Sequence, residues 1–305
     1  MSRIHEALKR AQQERASLQT AAPAPLSELA GVESNAADST PAALHLRTEV
    51  IAPPPGNSFQ FDELRARCAR STWHPDPNES VFTNSALSIH GAEQFRTLRS
   101  RLYQIRTSQP LETLLITSSV PAEGKTFVSS NLAQAFVQQA DCRVLLVDAD
   151  LRRARLHLAL GAPSAPGLTD YLHGQADEAA VIQCGQERNF CFISGGSEAA
   201  NPSELLSNGR LRRLLDRLKP AFDWIVVDSP PCLPVADASS LAELSDGVLI
   251  VVRAGMTPSE VAQKTCQIMK NKNIVGVVLN AVDKIDSHSS YYGHYGNTGD
   301  RKILY

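Results

Sequence analysis

No stretch of this sequence is long and apolar enough to span a bilayer, and the N-terminus has neither the apolar core nor the cleavage site of a secretory signal. Cysteine is sparse. Cys68, Cys142, Cys184, Cys191, Cys232 and Cys266 are scattered without a CxxC pair, and most lie in or beside apolar runs, which reads as buried free thiols in a reducing compartment. The 8 histidines include no HExxH or comparable ligand spacing, which argues against zinc chemistry. An excess of either charge is missing too: 30 Lys+Arg stand against 32 Asp+Glu, and the formal net charge of −2 argues against bulk nucleic-acid binding. No internal repeat is visible. What remains is a chain of 305 residues, 43% hydrophobic, enough for one large α/β domain with appendages.

The most informative stretch is Leu114-Leu-Ile-Thr-Ser-Ser-Val-Pro-Ala-Glu-Gly-Lys-Thr126. Leu114 to Thr117 reads as a buried strand, and a helical pattern (Phe127, Leu132, Ala133, Ala135, Phe136) follows Gly124-Lys125-Thr126. Strand, tight loop and helix are the context a phosphate-binding loop requires. Loop N–H groups and the helix N-terminus cradle phosphate oxygens, a lysine adds charge beside the β/γ-phosphates, and a threonine hydroxyl ligates Mg²⁺. The match to GxxxxGK[ST] is imperfect, with Ser119 at the first Gly position and Ala122 where close backbone approach favours Gly. The competing reading is an ordinary helix start.

Along the chain, Ile4, Ala7, Leu8 and Ala11 mark a short amphipathic helix within residues 1–16, either a solvated helix or one that docks on a protein partner or membrane surface. Residues 17–85 are rich in Ala, Pro and Ser and read as a disordered, flexible linker, with a denser patch from Phe59 to Arg70. Residues 86–284 form the folded domain. A helix carrying Glu93, Arg96 and Arg99 at i, i+3 spacing leads to the first strand. Cys142 to Val147 is a continuous apolar run that suits a parallel strand buried on both faces, and it ends in Asp148-Ala-Asp150-Leu-Arg152. Such a pair of carboxylates lies at the sheet edge where open α/β folds bind ligands, or caps the next helix. Trp224 to Val227 is a second such strand, ending in Asp228-Ser-Pro-Pro231, and Asn201 is a helix cap candidate. The βα alternation predicts an α/β fold with a mostly parallel central sheet flanked by helices. Residues 285–305 are a polar, Gly-rich, flexible tail bearing Tyr291, Tyr292, Tyr295 and Tyr305.

Together these motifs resemble the bacterial tyrosine kinases of capsule and exopolysaccharide assembly, P-loop NTPases related to the ParA/MinD ATPases. The resemblance covers roughly residues 86–305. Ser118 to Thr126 resembles the family's Walker A, Asp148-Ala-Asp-Leu-Arg152 its Walker A′ (DxDxR), and Val226 to Pro231 its Walker B (DxxP). Glu93-Gln-Phe-Arg96-Thr-Leu-Arg99 resembles its ExxRxxR self-association helix, and the tail its tyrosine cluster.

The resemblance implies a protein-tyrosine autokinase using ATP and Mg²⁺. Ser119, Val120, Pro121, Ala122, Glu123, Gly124, Lys125, Thr126 and Phe127 would bind ATP, and Asn280 would touch adenine. Thr126, Asp150 and Asp228 would hold Mg²⁺. Asp148 would accept the tyrosine proton, and Arg152 would orient carboxylates or phosphates. Tyr291, Tyr292, Tyr295 and Tyr305 would accept phosphate on neighbouring subunits.

The implied partners are other copies in a homo-oligomer, with a ring as one form, a separate Wzz-like polysaccharide co-polymerase as activator, and a cognate tyrosine phosphatase. No nucleic acid is implied, and the location is the cytoplasm, with recruitment to the inner face of the membrane through a partner. Two alternatives stand beside this: a ParA/MinD-like ATPase, disfavoured because Val120 and Pro121 replace its signature Lys-Gly, and a nucleotide-binding scaffold without transfer activity.

Overall fold

The computed structural model describes residues 59–83 and 88–282. The helix expected within residues 1–16, the linker up to residue 58 and the tail with its four tyrosines lie outside the described residues. In chain order the elements are α1 (Phe61–Arg67), β1 (Ala69–Arg70), α2 (Ser88–Arg106), β2 (Thr113–Ser118), α3 (Lys125–Val137), β3 (Val144–Asp148), α4 (Leu156–Leu160), α5 (Leu168–His173), α6 (Glu178–Val181), β4 (Ile182–Cys184), β5 (Phe190–Ile193), α7 (Pro202–Ser207), α8 (Arg210–Leu218), a 3₁₀ turn (Lys219–Ala221), β6 (Trp224–Asp228), α9 (Asp237–Ala242), β7 (Gly247–Arg253), α10 (Ser259–Ile268) and β8 (Ile274–Asn280).

The strands of the described residues make one sheet of order β1-β4-β5-β3-β6-β2-β7-β8, parallel at every pairing except β4 with β5. Every residue of β2, β3 and β6 is buried, as continuous apolar runs in a sheet covered on both faces require. Alternation sorts their side chains. Leu115, Leu145, Val147, Ile225 and Val227 pack with α1, α5, α8 and α9 on one face, while Leu114, Ile116, Leu146, Trp224 and Val226 pack with α2 and α3 on the other. Cys68, Cys142, Cys184, Cys191 and Cys232 are buried free thiols, and Cys266 is half-buried.

Residues 59–83 depart from the expected linker: they are part of the packed domain. β1 pairs in parallel with β4, Phe61 meets Phe222 edge-on at 5.5 Å, and Trp73 lies edge-on to Phe190 at 5.2 Å. Farther along, the Val81 N–H donates to Asn131 Oδ1 at 2.8 Å, which straps the segment onto α3. The physical reason is that a few large rings outweigh a polar, Pro-containing context. Each aromatic side chain buries about 150–250 Å², enough to offset the ordering of its neighbours. Asn201 stands at the N-cap of α7 but makes no capping side-chain bond; Pro202 opens that helix instead.

Candidate phosphate-binding and carboxylate site

β2 delivers the chain into the loop of residues 119–124, and α3 begins at Lys125. Gly124 has φ of 90°, a conformation that favours glycine, and a Cβ there would stand 2.1 Å from Asn280 Nδ2 and push that side chain off the loop. Ala122 also adopts a left-handed conformation, with φ of 68°, and carries the steric penalty a glycine would avoid.

Bonds from behind fix the loop. The buried Glu123 carboxylate accepts from the Val120 N–H at 2.7 Å and from Thr257 Oγ1 at 2.5 Å. Asn280 Nδ2 donates to the Glu123 carbonyl at 2.9 Å, and Arg253 Nη1 to the Ala122 carbonyl at 3.0 Å. Ser118 Oγ donates to the Val120 carbonyl at 2.9 Å, while Ser119 Oγ is buried without a hydrogen-bond partner. Asn280, expected against adenine, is thus also a clamp on the loop.

Three carboxylates meet the start of α3. Asp148 and Asp228 end neighbouring strands in the same register, and Asp150 follows on the β3 loop. All three are buried. Lys125 Nζ lies 2.8 Å from Asp150 Oδ2. Thr126 Oγ1 donates to Asp228 Oδ2 at 2.8 Å, and Ser129 Oγ donates to Asp228 Oδ1 at 2.9 Å. Asp148 accepts from the N–H of Asp150 at 3.2 Å and from that of Leu156 at 3.0 Å. With each oxygen on a backbone donor and no exposure, Asp148, expected as the proton acceptor, holds the loop and the first turn of α4. The N-cap of α4 is Arg155, without a capping side-chain bond, and Asp148 accepts from the first N–H of that helix, while Asp150 carries the ion pair.

One lysine among three buried carboxylates leaves charge uncompensated. Burial, then the neighbouring Asp228, pushes the Asp148 carboxyl well above the usual carboxylate range, against the pull of the Leu156 N–H. Burial also raises Asp228, partly offset by Lys125, Thr126 and Ser129. Burial works against the Lys125 charge, but Asp228 and Asp150 outweigh it and its pKa is raised.

A divalent cation fits this charge deficit. Among the described residues no set of three or more His, Cys, Asp or Glu side chains forms a metal cage. Mg²⁺ keeps waters and phosphate oxygens and takes one or two protein carboxylates, and Asp150 and Asp228 beside Thr126 supply such ligands. The glycine-favouring loop, the lysine and the hydroxyl–carboxylate pair fit a nucleotide polyphosphate in the same way.

A cleft of about 750 Å³ opens in front of these groups, lined by Pro121, Ala122, Gly124, Lys125, Thr126, Phe127, Asp150 and the loop after β6, with Asp76 and Glu79 from the N-terminal strap. Ser119, Val120 and Glu123 stand behind the lining as the loop's frame. Arg152 lines the cleft too, and its hydrogen bonds go to a further carboxylate. Its Nε donates to the buried Asp237 at 2.7 Å and its Nη2 to Ser203 Oγ at 2.9 Å. Arg152 thus ties the β3 loop to α9 and α7.

On α2, Arg96 pairs with Glu93 on a solvent-facing surface, whereas Arg99 Nη1 donates at 2.5 Å to the Ala135 carbonyl in the last turn of α3. The latter satisfies a helix end that lacks a basic residue of its own.

Ser129, Asp237 and Thr257 went unrecognised in the sequence. Only Ser129 had a signal, one helical turn beyond Thr126 on the same helix face.

Comparison with known proteins follows the same lines. The AAA domain family matches residues 122–274. Over 207 residues the chain is 34% identical to the tyrosine-protein kinase YwqD of Bacillus subtilis (strain 168), covering 67% of this chain and 86% of that protein. It is 37% identical over 202 residues to the tyrosine-protein kinase etk of Escherichia coli (strain K12), covering 66% of this chain but 28% of etk. Among solved structures, the kinase domain of Escherichia coli tyrosine kinase ETK superimposes with a TM-score of 0.64 at 34% identity, covering 70% of this chain and 84% of that one.

Proposed function

The chain belongs to the family of bacterial tyrosine-protein kinases, and we propose that it transfers the γ-phosphoryl group of ATP to tail tyrosines of a neighbouring copy of itself. The observation that carries this reading is the convergence of Lys125, Thr126 and the strand-end carboxylates Asp150 and Asp228 on one phosphate loop.

Phosphoryl transfer through a loose transition state is mostly positioning and charge stabilisation. The residues around the loop divide that work. Backbone N–H groups of residues 122–124 and the start of α3 receive the phosphates, and Lys125 neutralises their charge. Thr126 and Asp228 would hold Mg²⁺, with Asp150 beside them. The ion would supply charge stabilisation at the β- and γ-phosphates. Asp150, the one of the three strand-end carboxylates that lines the cleft, faces the incoming tyrosine hydroxyl and takes its proton late in transfer. Asp148 keeps Asp150 in place. With Nδ2 on the loop, Asn280 retains Oδ1 as an acceptor for the adenine amino group.

The acceptors in this reading are Tyr291, Tyr292, Tyr295 and Tyr305. Glu93, Arg96 and Arg99 bring copies together. A polysaccharide co-polymerase of the membrane activates the kinase and recruits it to the membrane's inner face, and a tyrosine phosphatase resets it, so that the cycle regulates polymerisation and export of an exopolysaccharide. No described helix is long and apolar enough to cross a membrane.

Mass spectrometry of the dephosphorylated full chain incubated with Mg·ATP, beside Lys125→Ala, tests the reading. Phosphate on the tail tyrosines of the first sample alone is expected. ATP hydrolysis without phosphotyrosine, even with the cytoplasmic segment of the co-polymerase added, would establish an ATPase instead.

A further inference from the structure

The cleft carries positive charge that the site above does not use. Lys125 is paired with Asp150, Arg152 with Asp237, and Arg253 bonds the Ala122 carbonyl. Arg153 and Arg155 line the same cleft, are exposed, and make no ion pair among the described residues. The acids that share the lining leave them so. Asp76 Oδ1 accepts from Asn78 N and Nδ2 at 2.8 and 3.1 Å, and Glu79 forms no ion pair among the described residues.

The backbone that presents the two arginines is fixed. The Arg153 N–H donates to the Asp150 carbonyl at 3.0 Å and to its Oδ1 at 3.1 Å, and the Arg155 carbonyl accepts from Leu158 N at 3.0 Å. Asp148 ties down the same turn from inside through Asp150 and Leu156. The pair therefore projects from a rigid loop on the β3 side of the phosphate loop, while Arg253 and Asn280 stand on its β7–β8 side. Leu158, 57% exposed, and Pro231 line the cleft beside them and offer an aromatic ring an apolar surface.

Guanidinium groups free of carboxylate partners bind phosphate dianions through forked, charge-assisted hydrogen bonds. We propose that Arg153 and Arg155 form a phosphotyrosine subsite, which holds a tyrosine of the acceptor segment that is already phosphorylated while the next one is presented to the phosphate loop. This rests on the kinase reading above. The acceptor sequence suits it: Tyr291, Tyr292 and Tyr295 are near neighbours, and three residues of extended chain span about 10 Å. Each phosphate adds about −1.5 to −2 charges, so the segment gains affinity for the pair only after a first transfer.

Binding tests the subsite without requiring turnover. The full chain with Mg·ADP is titrated against a fluorescent synthetic peptide of residues 287–299, with and without phosphate on Tyr292. The phosphopeptide should bind about tenfold tighter or more. Arg153→Gln/Arg155→Gln should abolish that preference, and Arg153→Lys/Arg155→Lys, which keeps charge without the fork, should retain part of it. Equal binding of the two peptides by the wild type, or an undiminished preference in the Gln variant, overturns the proposal.

ATP affinity of the same variants separates the two phosphate sources. A value close to wild type supports the phosphotyrosine subsite. A loss of about tenfold with the peptide preference intact would assign the arginines to the nucleotide and overturn it. Failure of the kinase reading would show separately, as absence of phosphate transfer in the presence of normal phosphopeptide binding.

Discussion

On its β7–β8 side the phosphate loop is held by groups that each bond it or one another: Glu123 with Val120 and Thr257, Asn280 with the Glu123 carbonyl, Arg253 with the Ala122 carbonyl. On its β3–β6 side, Asp148, Asp150 and Asp228 are buried around Lys125 alone, and the first and last of them are driven toward their protonated forms. The first arrangement is a scaffold in which Glu123, the one buried charge, already has its donors. The second is destabilising as it stands and is relieved by a ligand that brings positive charge. Buried charge without full compensation is costly, so its persistence here locates the chemistry.

Removing the lysine should give the largest effect. Lys125→Ala should abolish tail phosphorylation and, by leaving buried carboxylates without their cation, cost on the order of 3–5 kcal/mol in urea unfolding. A fully phosphorylated variant of wild-type stability would erase the distinction between the two sides. Next comes Glu123→Ala on the scaffold side. It leaves the Val120 N–H and the Thr257 hydroxyl without their acceptor, and should lower stability by about 1–3 kcal/mol. A nearly neutral result would mean that the loop does not depend on this clamp.

The pH dependence sharpens the contrast further. Folded Asp148 and Asp228 hold protons more tightly than they do in the unfolded chain. Their contribution to stability is therefore complete below the unfolded value of about 3.9 and is lost as pH rises through the raised folded values, with a slope of at most about 1.4 kcal/mol per pH for each carboxyl. Thermal melts of the ligand-free chain should show this loss from about pH 4 upward, and the stabilisation by Mg·ADP should grow over the same range. A ligand effect independent of pH would contradict it. Smallest of all, Ala122→Gly removes a left-handed strain of about 1–2 kcal/mol but adds about 0.4–1 kcal/mol of unfolded-chain entropy, for a net gain of up to about 1.6 kcal/mol in urea unfolding. Destabilisation would show that the Ala122 methyl makes a contact the loop needs.

Much of the fold is legible because it is local. Apolar runs such as Val144–Val147 and Trp224–Val227 read as strands covered on both faces, and each ends in a carboxylate at the ligand-binding edge. The run of β8 looks similar in sequence, yet Val277 and Leu279 stay more than half exposed. Position at the sheet's edge, not composition, sets that outcome. The packing of residues 59–83 is not legible locally, because Trp73 gains its burial from Phe190 and Phe192, far along the chain. The same holds inside the site. Lys125, Thr126 and the acids are readable from spacing, whereas the partners of Arg152 (Asp237 and Ser203) are chosen by tertiary packing that no periodicity encodes.

Transfer between copies is measured most directly by mixing two chains that are each incompetent alone. Lys125→Ala retains the acceptor tyrosines, and a chain with Tyr291, Tyr292, Tyr295 and Tyr305 changed to Phe retains the phosphate loop. After incubation with Mg·ATP and the co-polymerase segment, mass spectrometry should find phosphate on the tail of the Lys125→Ala chain in the mixture and in neither chain alone. Phosphate on the Lys125→Ala chain by itself, or none in the mixture while wild-type chains are phosphorylated, would contradict transfer from this site to a neighbour.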